Sequence, residues 1–81
     1  MTAARRVLAF DQDEEFLGTA SRLLAGAGFQ FRAVRNPAQV QAQVADFKPD
    51  LILLDRAAPG TAFAQAVEAL RDSPVPRVFV A

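Results

Sequence analysis

The sequence predicts an α/β protein with a parallel sheet and helices on both faces. Short apolar runs alternate with segments whose apolar residues recur at helical spacing, in the order βαβαβαβ. One run, LILL at 51–54, is apolar at every position, as a strand buried on both faces of a sheet requires. With 52% hydrophobic and 22% charged residues over 81 residues, the composition is that of one globular domain. Crossovers between parallel strands are expected to be right-handed.

The first strand and the first helix meet at a cluster of acids. RVLAF at Arg6–Phe10 predicts a buried strand, and Asp13, Glu14 and Glu15 follow it closely. Because the helix dipole favours negative charge in a first turn, these acids indicate a helix start. The helix is expected over about 14–25. Its predicted apolar face consists of Phe16, Leu17, Ala20, Leu23, Leu24 and Ala27.

The second strand is predicted at 29–34, where FQFRAV partly alternates apolar and polar residues, as in a strand near a sheet edge. Asn36-Pro37 then predicts the start of the second helix, because Asn caps free amides and Pro suits the first helical position. Lys48-Pro49-Asp50 ends that helix. The apolar residues of its inner face are Val40, Val44 and Phe47.

The third strand, LILL at 51–54, leads directly into Asp55. Pro59-Gly60 marks a turn, after which Thr61 is expected to cap a third helix. RVFVA at 77–81 predicts a fourth strand. The inner face of the third helix is expected to carry Phe63, Val67 and Leu70.

Two carboxylates are predicted to meet at one end of the sheet. Asp11 and Asp55 each follow a buried strand, and ligands of parallel sheets bind beyond the carboxyl ends of the strands. Such a pair repels itself unless a cation compensates, and oxygen ligands suit Mg²⁺. A carboxylate beside such an ion can attack phosphorus. In the alternative interpretation, both acids simply begin the following helix or turn.

Composition excludes several classes of function. The chain has no Cys and no His, which removes disulfides, thiolate metal sites and the commonest general base. Its formal net charge of +0 lacks the basic footprint of a nucleic-acid binder. No segment has the apolar length of a membrane span or a signal-peptide core. We therefore expect a cytoplasmic protein that is not an enzyme and that binds neither nucleic acid nor membrane.

Four segments, VLAFDQDEEFL, AGAGF, KPDLILLDRAAPG and SPVPRVFVA, resemble the receiver domain of two-component response regulators in order and spacing. The resemblance covers essentially the whole chain, and its most specific part is PDLILLD followed by Pro59-Gly60. It implies a flavodoxin-like receiver fold that is truncated after the fourth strand. On this interpretation residues 1–81 form a single receiver-like domain without the last strand and the last two helices.

The resemblance also implies roles for individual residues. Asp55 matches the phosphoacceptor that a histidine kinase phosphorylates, while Asp11 and the backbone carbonyl of Ala57 match ligands of Mg²⁺. Gln12 stands where receivers carry a second acid, so it is a weak replacement and the affinity for Mg²⁺ is expected to drop. Ala81 stands at the switch position, where the usual Thr or Ser hydroxyl is lost, which weakens the coupling of phosphorylation to shape.

These departures leave two hypotheses about function. In the first, the chain is a degenerate receiver, or pseudo-receiver, that acts as a protein-interaction and dimerisation module. In the second, Asp55 is a working phosphoacceptor and the partner is a sensor histidine kinase or another signalling protein. A third class, a nucleotide-binding flavodoxin-like fragment, lacks its expected glycine-rich loop at 11–15.

The fourth strand raises a separate expectation about self-association. Val78, Phe79 and Val80 would form an apolar strand with an open edge, and such edges pair with other chains. If the chain ends at Ala81, we expect two copies to associate through this edge or by exchanging elements. In the alternative interpretation, the chain is one piece of a longer polypeptide.

Overall fold

The computed structural model describes residues 5–58 and 60–80, and in them the predicted fold class and order of elements are confirmed. The strands form one parallel sheet in the order β2-β1-β3-β4, so the second strand does lie at an edge. Pro59 of the predicted turn and Ala81 of the predicted fourth strand lie outside the described residues. The elements are β1 (Arg6–Phe10), α1 (Glu14–Gly26), β2 (Gln30–Val34), α2 (Val40–Phe47), β3 (Leu51–Asp55), α3 (Ala62–Ala69) and β4 (Arg77–Val80).

The start of α1 follows the sequence prediction. Asp13 occupies the N-cap position, and its Oδ1 accepts hydrogen bonds from the backbone N–H groups of Glu15 and Phe16 at 3.0 and 3.2 Å. These bonds satisfy two of the amides that have no partner within a helix. Asp13, Glu14 and Glu15 therefore form the start of α1, as predicted.

The starts of the other two helices differ from the prediction. Asn36 Oδ1 accepts from the N–H of Ala38 at 2.9 Å, but it caps a single 3₁₀ turn, Pro37–Gln39, and α2 begins only at Val40. Thr61 occupies the N-cap position of α3 without a capping bond. Its Oγ1 instead accepts from Gln65 Nε2 at 2.9 Å, so a side-chain partner replaces the expected backbone amide.

The densest part of the core lies between the sheet and the helices α2 and α3. Leu8 is opposite Ile52 and Phe10 is opposite Leu54 across the β1–β3 pair, and all four side chains are 0% exposed. Because side chains alternate along a strand, these four share one face of the sheet. The helices contribute buried residues to the same cluster, namely Val40, Phe47, Ala62, Ala66 and Leu70.

The opposite face of the sheet carries α1 and is covered less completely. Of the predicted apolar face of α1, Leu17 is buried, whereas Phe16 is 37% and Leu23 is 70% exposed. On β3 and β4 the side chains pointing to this face include Leu53, which is half-buried, and Val78, which is 47% exposed. The predicted apolar face of α1 is therefore buried only in part, because the helix lies toward the β2 side of the sheet.

Two arginines, one at the start of β1 and one in the middle of β2, contact the end of α2. The guanidinium carbons of Arg6 and Arg32 lie 5.9 and 4.7 Å from the centre of the Phe47 ring. Arg6 Nη1 also donates to the Phe47 carbonyl at 3.0 Å, and Arg32 pairs with Asp46 at 2.7 Å. Positive charge at this end thus has partners near the last turn of α2. Across 5–58 and 60–80, no helix is long and apolar enough to cross a membrane.

Candidate functional site

The candidate site lies beyond the carboxyl ends of β1 and β3. Phe10 and Leu54 are register partners, so Asp11, directly after β1, and Asp55, the last residue of β3, reach the same level of the sheet. The adjacent parallel strands therefore bring the two predicted carboxylates together, as the sequence indicated. A cavity of about 250 Å³ opens beside them.

Backbone amides fix both carboxylates. The N–H of Asp13 donates to Asp11 Oδ1 at 2.9 Å, and the N–H of Ala57 donates to Asp55 Oδ1 at 2.9 Å. Each acid thus accepts a bond from the amide two residues later, an arrangement that folds the loop back onto its own carboxylate. The loops after β1 and β3 hold the two acids in place.

The two acids differ in exposure, and they interact. Asp11 is 6% exposed, and Asp55 is half-buried. Burial raises the pKa of Asp11, and the neighbouring carboxylate of Asp55 raises it further. The N–H groups of Asp13 and Gln12 oppose this rise in the pKa, because they stabilise the carboxylate. A proton on Asp11, or a cation beside the two acids, relieves this repulsion.

Gln12 is directed away from the cavity. Its Nε2 donates to the carbonyl of Arg35 at 3.4 Å, and Arg35 Nη2 returns a bond to the Gln12 carbonyl at 3.4 Å. Arg35 also pairs with Glu14 at 2.7 Å. These contacts join the loop after β1 to the loop after β2. The residue that stands in place of a second acid thus bonds to backbone outside the cavity wall.

The cavity wall contains residues that the sequence did not assign to the site. It consists of Asp11, Asp13, Phe16, Asp55, Ala57 and Val80. Phe16 was assigned only to the apolar face of α1, and Val80 is present because it pairs with Asp55 in the β3–β4 register. The one available signal for Phe16 was its position in the first turn of α1, next to the acidic loop. The switch position, Ala81, lies outside the described residues.

The site holds little positive charge and few metal ligands. None of the described residues in the cavity wall is basic, and Arg56, next to Asp55, is exposed with its N–H bonded to the Val80 carbonyl at 2.8 Å. Within the described ranges, no group of three or more His, Cys, Asp or Glu side chains could hold a metal ion. Asp13 also lines the cavity, but its Oδ1 accepts the capping bonds at the start of α1.

Comparison with solved structures identifies the fold. The chain is similar to the N-terminal domain of the nisin resistance regulator NsrR, a lantibiotic response regulator, with a TM-score of 0.82 and 23% identity over 95% of this chain and 66% of that one. It is similar to the beryllofluoride-activated NtrC receiver domain, with a TM-score of 0.78 and 25% identity over 100% of this chain and 66% of that one. It is also similar to the pseudo-receiver domain of the CikA protein, with a TM-score of 0.74 and 20% identity over 94% of this chain and 66% of that one.

These similarities lie in the three-dimensional structure and not in the sequence. No protein-family model matches the sequence, and a search of curated proteins finds no relative. The chain spans 34% to 66% of the lengths of these solved chains and of others that it matches. Its sheet of four parallel strands with flanking helices is the corresponding part of the receiver fold, which confirms the fold predicted from the sequence.

Proposed function

We propose that this chain is a cytoplasmic, non-enzymatic receiver-like module of two-component signalling that works through protein contacts rather than through a phosphorylation cycle. One observation carries the proposal: the Gln12 amide bonds to the Arg35 carbonyl at 3.4 Å, outside the cavity wall. Of the acids in the wall, Asp13 uses its Oδ1 to cap α1, which leaves Asp11 and Asp55 as the pair available to a cation. Two carboxylates attract a divalent cation less strongly than three. The absence of a basic residue from the described cavity wall adds support, because an incoming phosphoryl group would lack a compensating charge.

The contacts of such a module are with a sensor histidine kinase or another signalling protein, and with a second copy of the chain. Val78 and Phe79 are 47% and 48% exposed on the last strand, β4, which has a neighbour on one side among the described residues. An apolar strand edge of this kind favours pairing with another strand. The similarity to a domain described as a pseudo-receiver is consistent with this role.

A second candidate function, a phosphoacceptor on Asp55, is favoured by the geometry of the acidic pair. The Ala57 N–H orients Asp55, which stands beside the buried Asp11 at the cavity of about 250 Å³. A carboxylate oxygen of Asp55 would attack the phosphorus of a phosphohistidine, the phosphorus–nitrogen bond would break, and the leaving imidazole would keep the electron pair and take up a proton. When bound, Mg²⁺ would supply charge neutralisation, with Asp11, Asp55 and the Ala57 carbonyl as its protein ligands.

A beryllofluoride titration separates the two functions. Backbone amide shifts of Ala57 and Val80 are followed while Mg²⁺ and beryllofluoride are added to the wild type, to Asp55→Asn and to Asp72→Asn. Asp72 is an exposed acid after α3 and serves as the matched control. The proposed module gives no saturable shifts in any of the three. Saturable shifts in the wild type and in Asp72→Asn, lost in Asp55→Asn, would instead establish the phosphoacceptor.

A gain-of-function variant tests the role of Gln12 directly. Gln12→Asp adds a third acid to the loop that carries Asp11, so we expect its affinity for Mg²⁺ to rise at least about tenfold over the wild type. Gln41→Asp, an exposed position on α2, adds the same charge elsewhere and is the control. The measurement is a Mg²⁺ titration followed by amide shifts. Equal affinities in all three proteins would show that Gln12 does not limit metal binding.

A further inference from the structure

We infer that Arg35 is a positioning residue, which ties the acidic loop after β1 to the loop after β2 and so keeps the Gln12 side chain outside the cavity. Arg35 thereby lowers the affinity of the site beside Asp11 and Asp55 for a divalent cation. The inference rests on the proposed function, in which Gln12 contributes no ligand, and it names the residue that controls this. It is carried by the contacts between the two loops, which lie at the ends of β1 and β2.

The loop after β1 concentrates negative charge. Residues 11–15 read DQDEE, with four acids in five positions. Like charges this close repel one another unless a cation lies among them. Within 5–58 and 60–80, the ion pair that joins a basic side chain to this loop is the one between Arg35 Nη1 and Glu14 Oε1, at 2.7 Å. Arg35 is therefore the chain's own countercharge for the loop.

The backbone brings residue 12 close to residue 35. The strands β1 and β2 end at the register partners Phe10 and Val34. The N–H of Asp11 still donates to the Val34 carbonyl at 3.2 Å, so the pairing of the two strands continues into the loops. The two segments leave the sheet side by side, which puts Gln12 within reach of Arg35.

Arg35 contacts Gln12 at both its side chain and its main chain. The Arg35 carbonyl accepts from Gln12 Nε2, and Arg35 Nη2 donates to the Gln12 carbonyl, each at 3.4 Å. The Nη1 of the same guanidinium pairs with Glu14. Because a guanidinium is planar and offers its N–H groups in a fixed fork, these bonds hold Gln12 and Glu14 in one arrangement.

This arrangement directs the Gln12 side chain away from the cation site. The described cavity wall contains Asp11 and Asp55 but neither Gln12 nor Arg35. An amide oxygen is a ligand for Mg²⁺, so a Gln12 side chain that turned inward would add its oxygen to those of the two acids. To turn inward it must give up the Arg35 carbonyl. A cation that uses Gln12 therefore binds only the fraction of molecules in which the loops are released, and its apparent affinity falls by that fraction.

The contacts are weak enough to be released by a single substitution. The side chains of Arg35 and Glu14 are 55% and 78% exposed, and an exposed ion pair stabilises a fold only slightly. The two bonds at 3.4 Å are long for N–H···O bonds. Without the Arg35 side chain, two of the three contacts disappear, and the bond from Gln12 Nε2 to the backbone carbonyl stands alone.

A Mg²⁺ titration followed by amide shifts tests the role of Arg35. We expect Arg35→Ala to bind Mg²⁺ about fivefold more tightly than the wild type. The side-chain amide signals of Gln12 should move during the titration in Arg35→Ala and stay in place in the wild type. Arg56→Ala removes the same charge directly after Asp55 and should leave the Gln12 signals in place. Gln12 signals that move equally in all three proteins would contradict the inference.

A double-mutant cycle shows whether the gain in affinity depends on the Gln12 side chain. Gln12→Ala removes the side-chain oxygen without changing the charge, so it should bind Mg²⁺ as the wild type does. When Arg35→Ala is added to Gln12→Ala, the fivefold gain should be lost, because no side-chain oxygen is released. A gain of the same size in both backgrounds would show that Arg35 acts through its charge alone and would overturn the inference.

The role of Arg35 and the proposed module can fail separately. An Arg35→Ala chain that binds Mg²⁺ no more tightly than the wild type would refute the role of Arg35 and leave the module standing. Saturable beryllofluoride shifts in the wild type, lost in Asp55→Asn, would contradict the module. The gain in Arg35→Ala and its dependence on Gln12 would still establish the positioning role in that case.

Discussion

The two faces of the sheet perform different tasks in this chain. The face toward α2 and α3 carries Leu8, Phe10, Ile52 and Leu54, all 0% exposed. The face toward α1 carries the Asp11–Asp55 pair, the cavity beside it and side chains that remain partly exposed, such as Val78. The face toward α2 and α3 thus holds the larger part of the buried core, while Val7, Ala9 and Leu17 are buried on the other face. A parallel sheet normally has both faces covered, so the difference marks where contacts with other molecules are expected.

The largest effect on stability is expected from truncating a side chain on the covered face, which is the sheet face toward α2 and α3. Leu54→Ala should lower the free energy of unfolding by about 2–5 kcal/mol, because it leaves a cavity among side chains that cannot collapse into it. The matched variant Leu53→Ala, one residue earlier and on the other face, should cost only about 1 kcal/mol. Urea unfolding at one fixed protein concentration measures both.

A milder variant keeps this comparison measurable if the larger truncation prevents folding. Ile52→Val on the covered face should cost about 1 kcal/mol. Equal losses of unfolding free energy in Leu54→Ala and Leu53→Ala would contradict the prediction, because they would mean that the two faces contribute equally to stability.

The second effect concerns the acidic pair on the α1 face. Because burial and Asp55 raise the pKa of Asp11, the folded chain binds that proton more tightly than the unfolded chain does. The contribution of Asp11 to the free energy of unfolding therefore falls as the pH rises from the ordinary value of 3.8 through the raised value. Asp11→Asn should remove this fall and be more stable than the wild type at neutral pH.

The difference in melting temperature between Asp11→Asn and the wild type, measured as a function of pH, tests this prediction. Asp72→Asn, which removes an exposed acid, is the control and should follow the wild type. A difference that shrinks or reverses as the pH rises through this window would mean that Asp11 stabilises the fold as a carboxylate.

The smallest effect is expected on the outer side of α1. Leu23 is 70% exposed, so Leu23→Gln should change the free energy of unfolding by less than about 0.5 kcal/mol. Leu17→Ala, in the same helix but at a buried position, should cost about 2 kcal/mol or more. Urea unfolding again provides the measurement. A clear loss of stability in Leu23→Gln would mean that this side of the helix is covered in solution.

The sequence predicted burial on the sheet face toward α2 and α3 better than on the face toward α1. An all-apolar run such as LILL shows that a strand is buried, and helical spacing shows which side of a helix is apolar. Neither pattern shows how far a helix reaches across a sheet, so the exposure of Leu23 was not predictable. The starts of α2 and α3 differed for a local reason, since Asn36 capped a 3₁₀ turn and Thr61 bonded to Gln65.

The site was predictable where it depends on strand ends. Asp11 and Asp55 follow two strands that are neighbours in the sheet, so their proximity follows from the fold. Val80 could not be assigned without the pairing of β3 and β4, because its place beside Asp55 is a matter of register. The direction of Gln12 depends on the backbone carbonyl of Arg35, which no pattern of side chains reports.

The central claim is that the chain associates through a surface that does not depend on phosphorylation. Sedimentation equilibrium with and without Mg²⁺ and beryllofluoride tests it most directly. We expect a dimer whose dissociation constant is the same under both conditions and rises in Val78→Lys, because this variant places a charge at an exposed position of β4. A chain that is monomeric alone and dimerises only with Mg²⁺ and beryllofluoride, through a response lost in Asp55→Asn, would contradict it.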